Sequence, residues 1–282
     1  MRKKLYLECY SGISGDMTVA ALLDLGADEE ALRKALASMP VQGFEVRISE
    51  VKKSGIRACD FDVILEQDNH DHNMNYLYGD GRTGEKEHAH GQHETREKEH
   101  SHAHHEHVHR GLKEIKEIIS QTEMTEKAKK TAVLIFEILA QSEAKAHGVP
   151  VDQVHFHEVG AIDSIADIIS VAVCLDSLDV EEVIVPVLYE GKGMVRCQHG
   201  IIPVPVPAVV FIAQEHHLNF HIIDINGELV TPTGAAIVAA IRTSDRLPEK
   251  YCIEKVGIGA GKRVYELPGV LRAMLIHSCG TC

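Results

Sequence analysis

Between Gln67 and Arg110 the chain loses every pattern that builds a core. This stretch is rich in Gly, Asn, Glu, Lys and His with few core-forming residues, and it holds eleven of the 19 histidines. They begin at His70 and His72 and continue through His88, His90, His93, His100, His102, His104, His105, His107 and His109. So few apolar side chains cannot offset the entropy of ordering the backbone, so a disordered insert is expected over 67–110. The fold must then be assembled from residues 1–66 and 111–278, with 279–282 left as a cysteine-bearing tail.

On both sides of the insert the hydrophobic pattern is regular. Lys3 to Cys9 alternates as a short strand and leads into the turn Ser11-Gly12-Ile13-Ser14-Gly15-Asp16. A helix is predicted from Asp16 to Ala37, and a hairpin from Phe44–Val51 and Ile56–Leu65 around Lys53-Ser54-Gly55. Further helices are predicted over Leu112–Ile119, Thr125–His147, Gly160–Leu178 and Gly234–Ile241. Strands are predicted over Glu182–Val187, Phe220–Ile225, Tyr251–Ile258 and Val270–Ile276. Prolines 203, 205 and 207 cannot donate to a ladder, so Glu190 to Pro207 reads as loop or edge strand. This succession is that of an α/β chain, or a mixed α+β one, forming a single main domain.

The formal net charge of −13 opposes a groove that binds nucleic acid through bulk positive potential. No segment approaches the roughly 20 apolar residues of a membrane helix, and the N-terminal apolar stretch is too short for a signal peptide. The seven cysteines are irregularly spaced and do not form a disulfide framework, which fits a cytoplasmic protein with free thiols.

Three constellations carry chemistry. Neutral imidazoles suit nickel, zinc and copper, so the tract containing His102, His104, His105 and His107 is a candidate metal collector, though a solvated linker has the same composition. His155 and His157 share one face if extended, Glu158 follows, and Asp163 and Asp167 stack four apart on the next helix. Those residues fit a metal or acid–base site, and equally a helix cap with a wet face. In Gly191 to Gly200, Cys197 and His199 pair a thiolate with an imidazole, while Lys192 and Arg196 suit a phosphate or carboxylate. Two turns are candidate anion sites at helix starts: Ser11 to Asp16, with Ser11, Gly12, Ser14, Gly15 and Asp16, and Thr231-Pro232-Thr233-Gly234, where Thr231 also suits a cap. The terminal Cys279-Gly280-Thr281-Cys282 is a single C-x-x-C pair.

Four ordered motifs together resemble one family. They are Tyr10-Ser11-Gly12-Ile13-Ser14-Gly15-Asp16-Met17, the run from Val154 to Ile165, the run from His199 to Ala208, and the run from Glu228 to Ala236. The sequence is similar to the LarC-type nickel-insertion family from Leu5 to about Arg272. The resemblance implies a cyclometallase that places Ni²⁺ in pyridinium-3,5-bisthiocarboxylic acid mononucleotide, forming two nickel–sulfur bonds and one nickel–carbon bond. It also implies CTP hydrolysis with Mn²⁺ or Mg²⁺, and indirect service to the lactate racemase apoprotein.

On that reading His155, His157, Glu158 and Asp163 supply the catalytic group, and His155, His157, Cys197 and His199 pass the nickel. Ser11, Gly12, Ser14, Gly15, Asp16, Lys192, Arg196, Thr231 and Thr233 hold the mononucleotide. Family members carry a C-terminal CTP-binding domain, and Gly269 stands where they tend to have Asn. The chain is therefore expected to be an N-terminal half, homo-oligomeric and served by a separate CTP-binding subunit. The rival expectations are a nickel chaperone or store without chemistry, and a zinc- or manganese-dependent hydrolase.

Overall fold

The computed structural model describes residues 3–66, 110–156, 161–197 and 200–278. The expected disordered insert, with His102, His104, His105 and His107, lies outside the described residues, as do His157, Glu158, His199 and the terminal cysteine pair.

The fold is mixed α/β. Strand β1 (Lys4–Glu8) leads through the expected turn into α1 (Gly15–Leu25). The single helix predicted from Asp16 to Ala37 is two. Gly26 ends α1 in the left-handed region at φ 103°, and the Asp28 side chain then caps α2 (Glu29–Ala37) by accepting from the Ala31 N–H. Strands β2 (Phe44–Lys53) and β3 (Ile56–Leu65) form the predicted hairpin, in register from Phe44↔Leu65 to Lys53↔Ile56.

After the insert, β4 (Arg110–Gly111) leads into α3 (Leu112–Gln121) and α4 (Glu126–His147). Short β5 (His155–Phe156) pairs back onto β4 before α5 (Ile162–Leu178) and β6 (Glu182–Ile184). The proline-rich stretch expected as loop or edge strand holds β7 (Leu188–Lys192) and the small hairpin β8 (Met194–Cys197) and β9 (Gly200–Pro203). Then come α6 (Pro207–His216), β10 (Phe220–Asn226), α7 (Pro232–Ile241), β11 (Tyr251–Ala260) and β12 (Val270–Ser278).

The main sheet has the order β2-β3-β11-β12-β1-β6. It is mixed: β1 runs antiparallel to β12 and parallel to β6, and β11 runs parallel to β3. The helices cover one face, where Leu5, Leu7, Leu22, Leu25, Phe61, Phe136, Leu139 and Ile165 are fully or almost fully buried in one continuous core. Burying such side chains stabilises by about 2 kcal/mol each before entropy is counted. Helix α1 lies directly on β11, and a Cβ at Gly259 would stand 3.0 Å from the Ala21 Cβ. The other face carries a small cluster of Tyr6, Ile184, Met274 and Ile276. Among the described residues no helix is long and apolar enough to cross a membrane.

The expectation that all thiols are free needs one correction. Cys9, Cys59, Cys174 and Cys197 are in no disulfide, whereas Cys252 is disulfide-bonded.

Candidate functional site

The two glycine turns that the sequence suggested separately form one structural unit. Leaving β1, the chain reverses at Gly12, whose φ of +83° suits glycine. A Cβ there would lie 2.6 Å from the Leu229 Cβ and would overlap the Leu229 carbonyl. That closeness lets the Ile13 N–H donate to the Leu229 carbonyl at 3.0 Å and the Thr231 N–H donate to the Ile13 carbonyl at 3.1 Å. Thr231 is the N-cap of α7, its hydroxyl accepting from the Gly234 N–H at 3.1 Å, and Thr233 is buried beside it. The anion-cradle expectation therefore meets a filled turn. The Gly12 N–H donates to the Cys9 carbonyl, and the Asp16 and Met17 amides donate to the carboxylates of Asp167 and Asp16.

What the turn presents instead is a cluster of carboxylates at the start of α1. Ser14 donates its hydroxyl to Asp16. Asp167, from the second turn of α5, packs against Gly15, and Asp163 approaches from the first turn of the same helix. Lys262 closes the group, with its Nζ 2.6 Å from Asp60 Oδ1 and 3.3 Å from Asp62 Oδ1.

Burial is the main cause that pushes the Asp167 carboxyl well above the usual range. The Asp16 and Asp163 charges add to it, and Lys262 and the Asp16 N–H oppose it. Asp16 is raised chiefly by burial too, against the hydrogen bonds from Ser14 and the Met17 N–H. Two buried carboxyls so close share protons as one unit. Both, with Asp163, remain partly accessible to solvent.

On the other side of the turn stands Glu190, fully buried on β7. Its Oε1 accepts from the backbone N–H groups of Gly191 at 2.8 Å, Leu229 at 2.7 Å and Val230 at 3.2 Å. Among the described residues its Oε2 has no hydrogen-bond partner. Desolvation outweighs the three N–H bonds, and the carboxyl is pushed up to about 7.

Residue 228 is braced in turn. Arg263 Nη1 and the Tyr265 hydroxyl both donate to the Glu228 carbonyl, at 2.7 and 3.0 Å, and Arg263 Nη2 is 2.7 Å from Glu228 Oε2. Two consecutive cations, Lys262 and Arg263, therefore serve acidic groups on opposite sides of one turn.

The remaining expected residues lie farther along the chain. Lys192 ends β7 and its ammonium pairs with Asp224 at 2.7 Å, while Arg196 is exposed and Cys197 half-buried on the β8–β9 hairpin. His155 pairs with Gly111 through β4–β5, next to Phe156, which packs edge-on to Phe136 with centroids 6.2 Å apart. Among the described residues, no group of three or more His, Cys, Asp or Glu is placed to hold a metal ion. The sequence placed Asp167 with Asp163 in a candidate metal or acid–base group but did not carry it into the catalytic set, and it did not single out Asp60, Glu190, Glu228, Lys262, Arg263 or Tyr265. A carboxylate in the middle of a short strand, as Glu190 is at the third position of β7, is the one local signal that could have marked any of them.

Residues 5–281, nearly the whole chain, match the family model described as nickel insertion protein. The chain belongs to the nickel insertion protein family. One relative in this family, the pyridinium-3,5-bisthiocarboxylic acid mononucleotide nickel insertion protein of Alkaliphilus metalliredigens, is 50% identical over 98% of this chain and 61% of its own length. Family members of the same name from Clostridium acetobutylicum and Acetivibrio thermocellus are 44% and 36% identical, over 96% of this chain and 63% and 60% of theirs. The chain thus spans about three fifths of the curated relatives it matches. No solved structure matches it.

Proposed function

We propose that this chain inserts Ni²⁺ into pyridinium-3,5-bisthiocarboxylic acid mononucleotide to form the nickel-pincer nucleotide, acting with the further sequence that its relatives carry. The observation that carries this reading is the carboxylate group at the start of α1. Ni²⁺ is a cation, and the partly accessible carboxylates of Asp16, Asp163 and Asp167 attract it to the place where the ring's thiocarboxylate arms, themselves anionic, receive it. Nickel is the cargo. Each sulfur displaces any proton it carries as it binds nickel, and the ring carbon gives up its proton as the nickel–carbon bond forms. Asp167 accepts that ring proton, since a carboxylate whose affinity for protons is raised is a better base near neutral pH. Asp163 supports its charge state.

The histidine tract with His102, His104, His105 and His107 gathers nickel. His155, His157, Glu158, Cys197 and His199 hand it on to the ring, and Lys192 and Arg196 hold the substrate's phosphate. CTP and Mn²⁺ or Mg²⁺ are co-reactants supplied to the complete protein. No three donors among the described residues fit such an ion, and no step here is routed through them.

The test is an insertion assay with NiCl₂, the bisthiocarboxylic acid mononucleotide, CTP and Mg²⁺, in which mass spectrometry follows the gain of one nickel. The full-length protein should form product, and Asp167→Asn should slow it by roughly 100-fold or more. An unaltered rate removes Asp167 as the base; absence of product from the unsubstituted protein removes the whole reading.

A further inference from the structure

The extended residues after β1 run beside β7, with Cys9 opposite Leu188 and the Tyr189 N–H donating to the Cys9 carbonyl at 3.2 Å. Strand β10 continues the ledge, with His221 opposite Tyr189. Three rings therefore stand in a file on one face. Tyr10 and Tyr189 have centroids 4.7 Å apart at 51°, and Tyr189 and His221 are 4.8 Å apart at 50°. Because strand residues alternate, Tyr189 joins this file while its neighbour Glu190 is buried on the opposite side.

Tyr10, at the open end, is 48% exposed. It is not a loose surface side chain: Tyr189 backs its ring, and the buried Tyr6 hydroxyl is hydrogen-bonded to it. A fixed aromatic face kept open to solvent, at one end of a turn whose other end carries Asp16 with Asp167 packed against it, suits a flat pyridinium ring whose reacting edge must reach a carboxylate.

We propose that the open face of Tyr10, backed by Tyr189 and His221, is the platform on which the substrate's pyridinium ring stacks. This rests on the nickel-insertion reading for the identity of the ring, and it assigns a binding role to residues that reading leaves unused. A positively charged ring is drawn to the negative face of a tyrosine, and stacking adds contact area without demanding a hydrogen bond.

The chain has 7 tyrosines and no tryptophan, so its intrinsic emission is that of tyrosine. The probe is pyridinium-3,5-dicarboxylic acid mononucleotide, the oxygen counterpart of the substrate, with ribose 5-phosphate as a ring-free control. Saturable quenching by the probe is expected, and none by ribose 5-phosphate. Tyr10→Phe should bind the probe within about twofold of the unsubstituted chain, and Tyr10→Leu roughly tenfold more weakly. Should Tyr10→Leu not fold, Tyr10→Trp supplies a single indole reporter that the probe must quench.

Unchanged probe affinity in Tyr10→Leu, or an indole at position 10 blind to the probe, overturns the platform. Nickel insertion that proceeds with an unaltered KM in Tyr10→Leu also sinks it while the insertion reading survives. Probe binding on Tyr10 by a protein that forms no nickel product supports the platform and removes the insertion reading.

Discussion

Asp167 reaches the start of α1 only because residue 15 has no side chain: a Cβ on Gly15 would lie 2.9 Å from the Asp167 Cβ and would overlap its carboxylate. The contact joins the first sequence motif to α5, the helix that begins within the second, and it delivers a carboxylate to the Asp16 N–H, where the positive end of the helix dipole favours it.

Gly15→Ala should therefore expel the Asp167 carboxyl and cost about 1–3 kcal/mol, the usual range for overpacking a filled site. Urea denaturation at neutral pH measures it. The double variant Gly15→Ala/Asp167→Ala should recover part of that loss, since the second change removes the atoms that the first displaces. Strict additivity of the two changes would show that they do not meet.

The buried carboxyls give the fold an unusual pH dependence. Glu190 is raised from the ordinary glutamate value of 4.5 to about 7. An acid whose folded value is raised binds more protons folded than unfolded, so its contribution is complete below pH 4.5 and is lost as the pH climbs to about 7. The full difference is about 3 kcal/mol at 1.36 kcal/mol per unit. Asp167 and Asp16 act in the same direction, starting from the ordinary aspartate value of 3.8. Glu190→Gln keeps an oxygen for the Gly191, Leu229 and Val230 amides and cannot ionise. Denaturant midpoints taken between pH 5 and 8 should fall with pH in the unsubstituted chain and flatten in Glu190→Gln, with the variant the more stable of the two at pH 8.

How far this arrangement could be read from the sequence depends on whether the signal was local. The β2–β3 hairpin and helices α3 to α5 announced themselves through periodicity, caps and the turn at Ser54-Gly55. The break between α1 and α2 was also local, in Gly26 and Asp28, but the apolar stripe on both sides concealed it. The docking of the Gly12 turn on Leu229–Thr231 joins residues over 200 positions apart, and no spacing rule could show it. Nothing local marks Lys262 and Arg263, which the β11–β12 connection carries to Asp60 and Glu228. Of the expected site residues, the structure gathers Ser14, Gly15, Asp16 and Asp163 around the start of α1 and sets Lys192 against Asp224.

The Arg263–Glu228 pair should matter more for stability than the exposed ion pairs. Glu228 is 6% exposed and its side chain lies 2.7 Å from Arg263 Nη2, so removing the cation leaves a charge out of water. Arg263→Ala is expected to cost about 3 kcal/mol. Lys145→Ala breaks the exposed 2.7 Å pair with Glu215 and should change stability by about 0.5 kcal/mol or less. Thermal unfolding of the two variants side by side checks the contrast; equal shifts would mean that Arg263 braces nothing.

Deleting residues 70–109 tests whether nickel is collected apart from its insertion. An imidazole-rich tract raises the local nickel concentration but need not touch the ring. A deletion of 70–109 should lower the nickel retained per chain in equilibrium dialysis, and it should shift the insertion rate to higher free nickel without changing the plateau. The difference depends on neutral imidazoles, whose ordinary pKa is about 6.5. It should therefore be large at pH 7.5 and shrink at pH 5.5, where protons compete with the metal. A chain that served only to store nickel would show no plateau of product at all, with or without the tract.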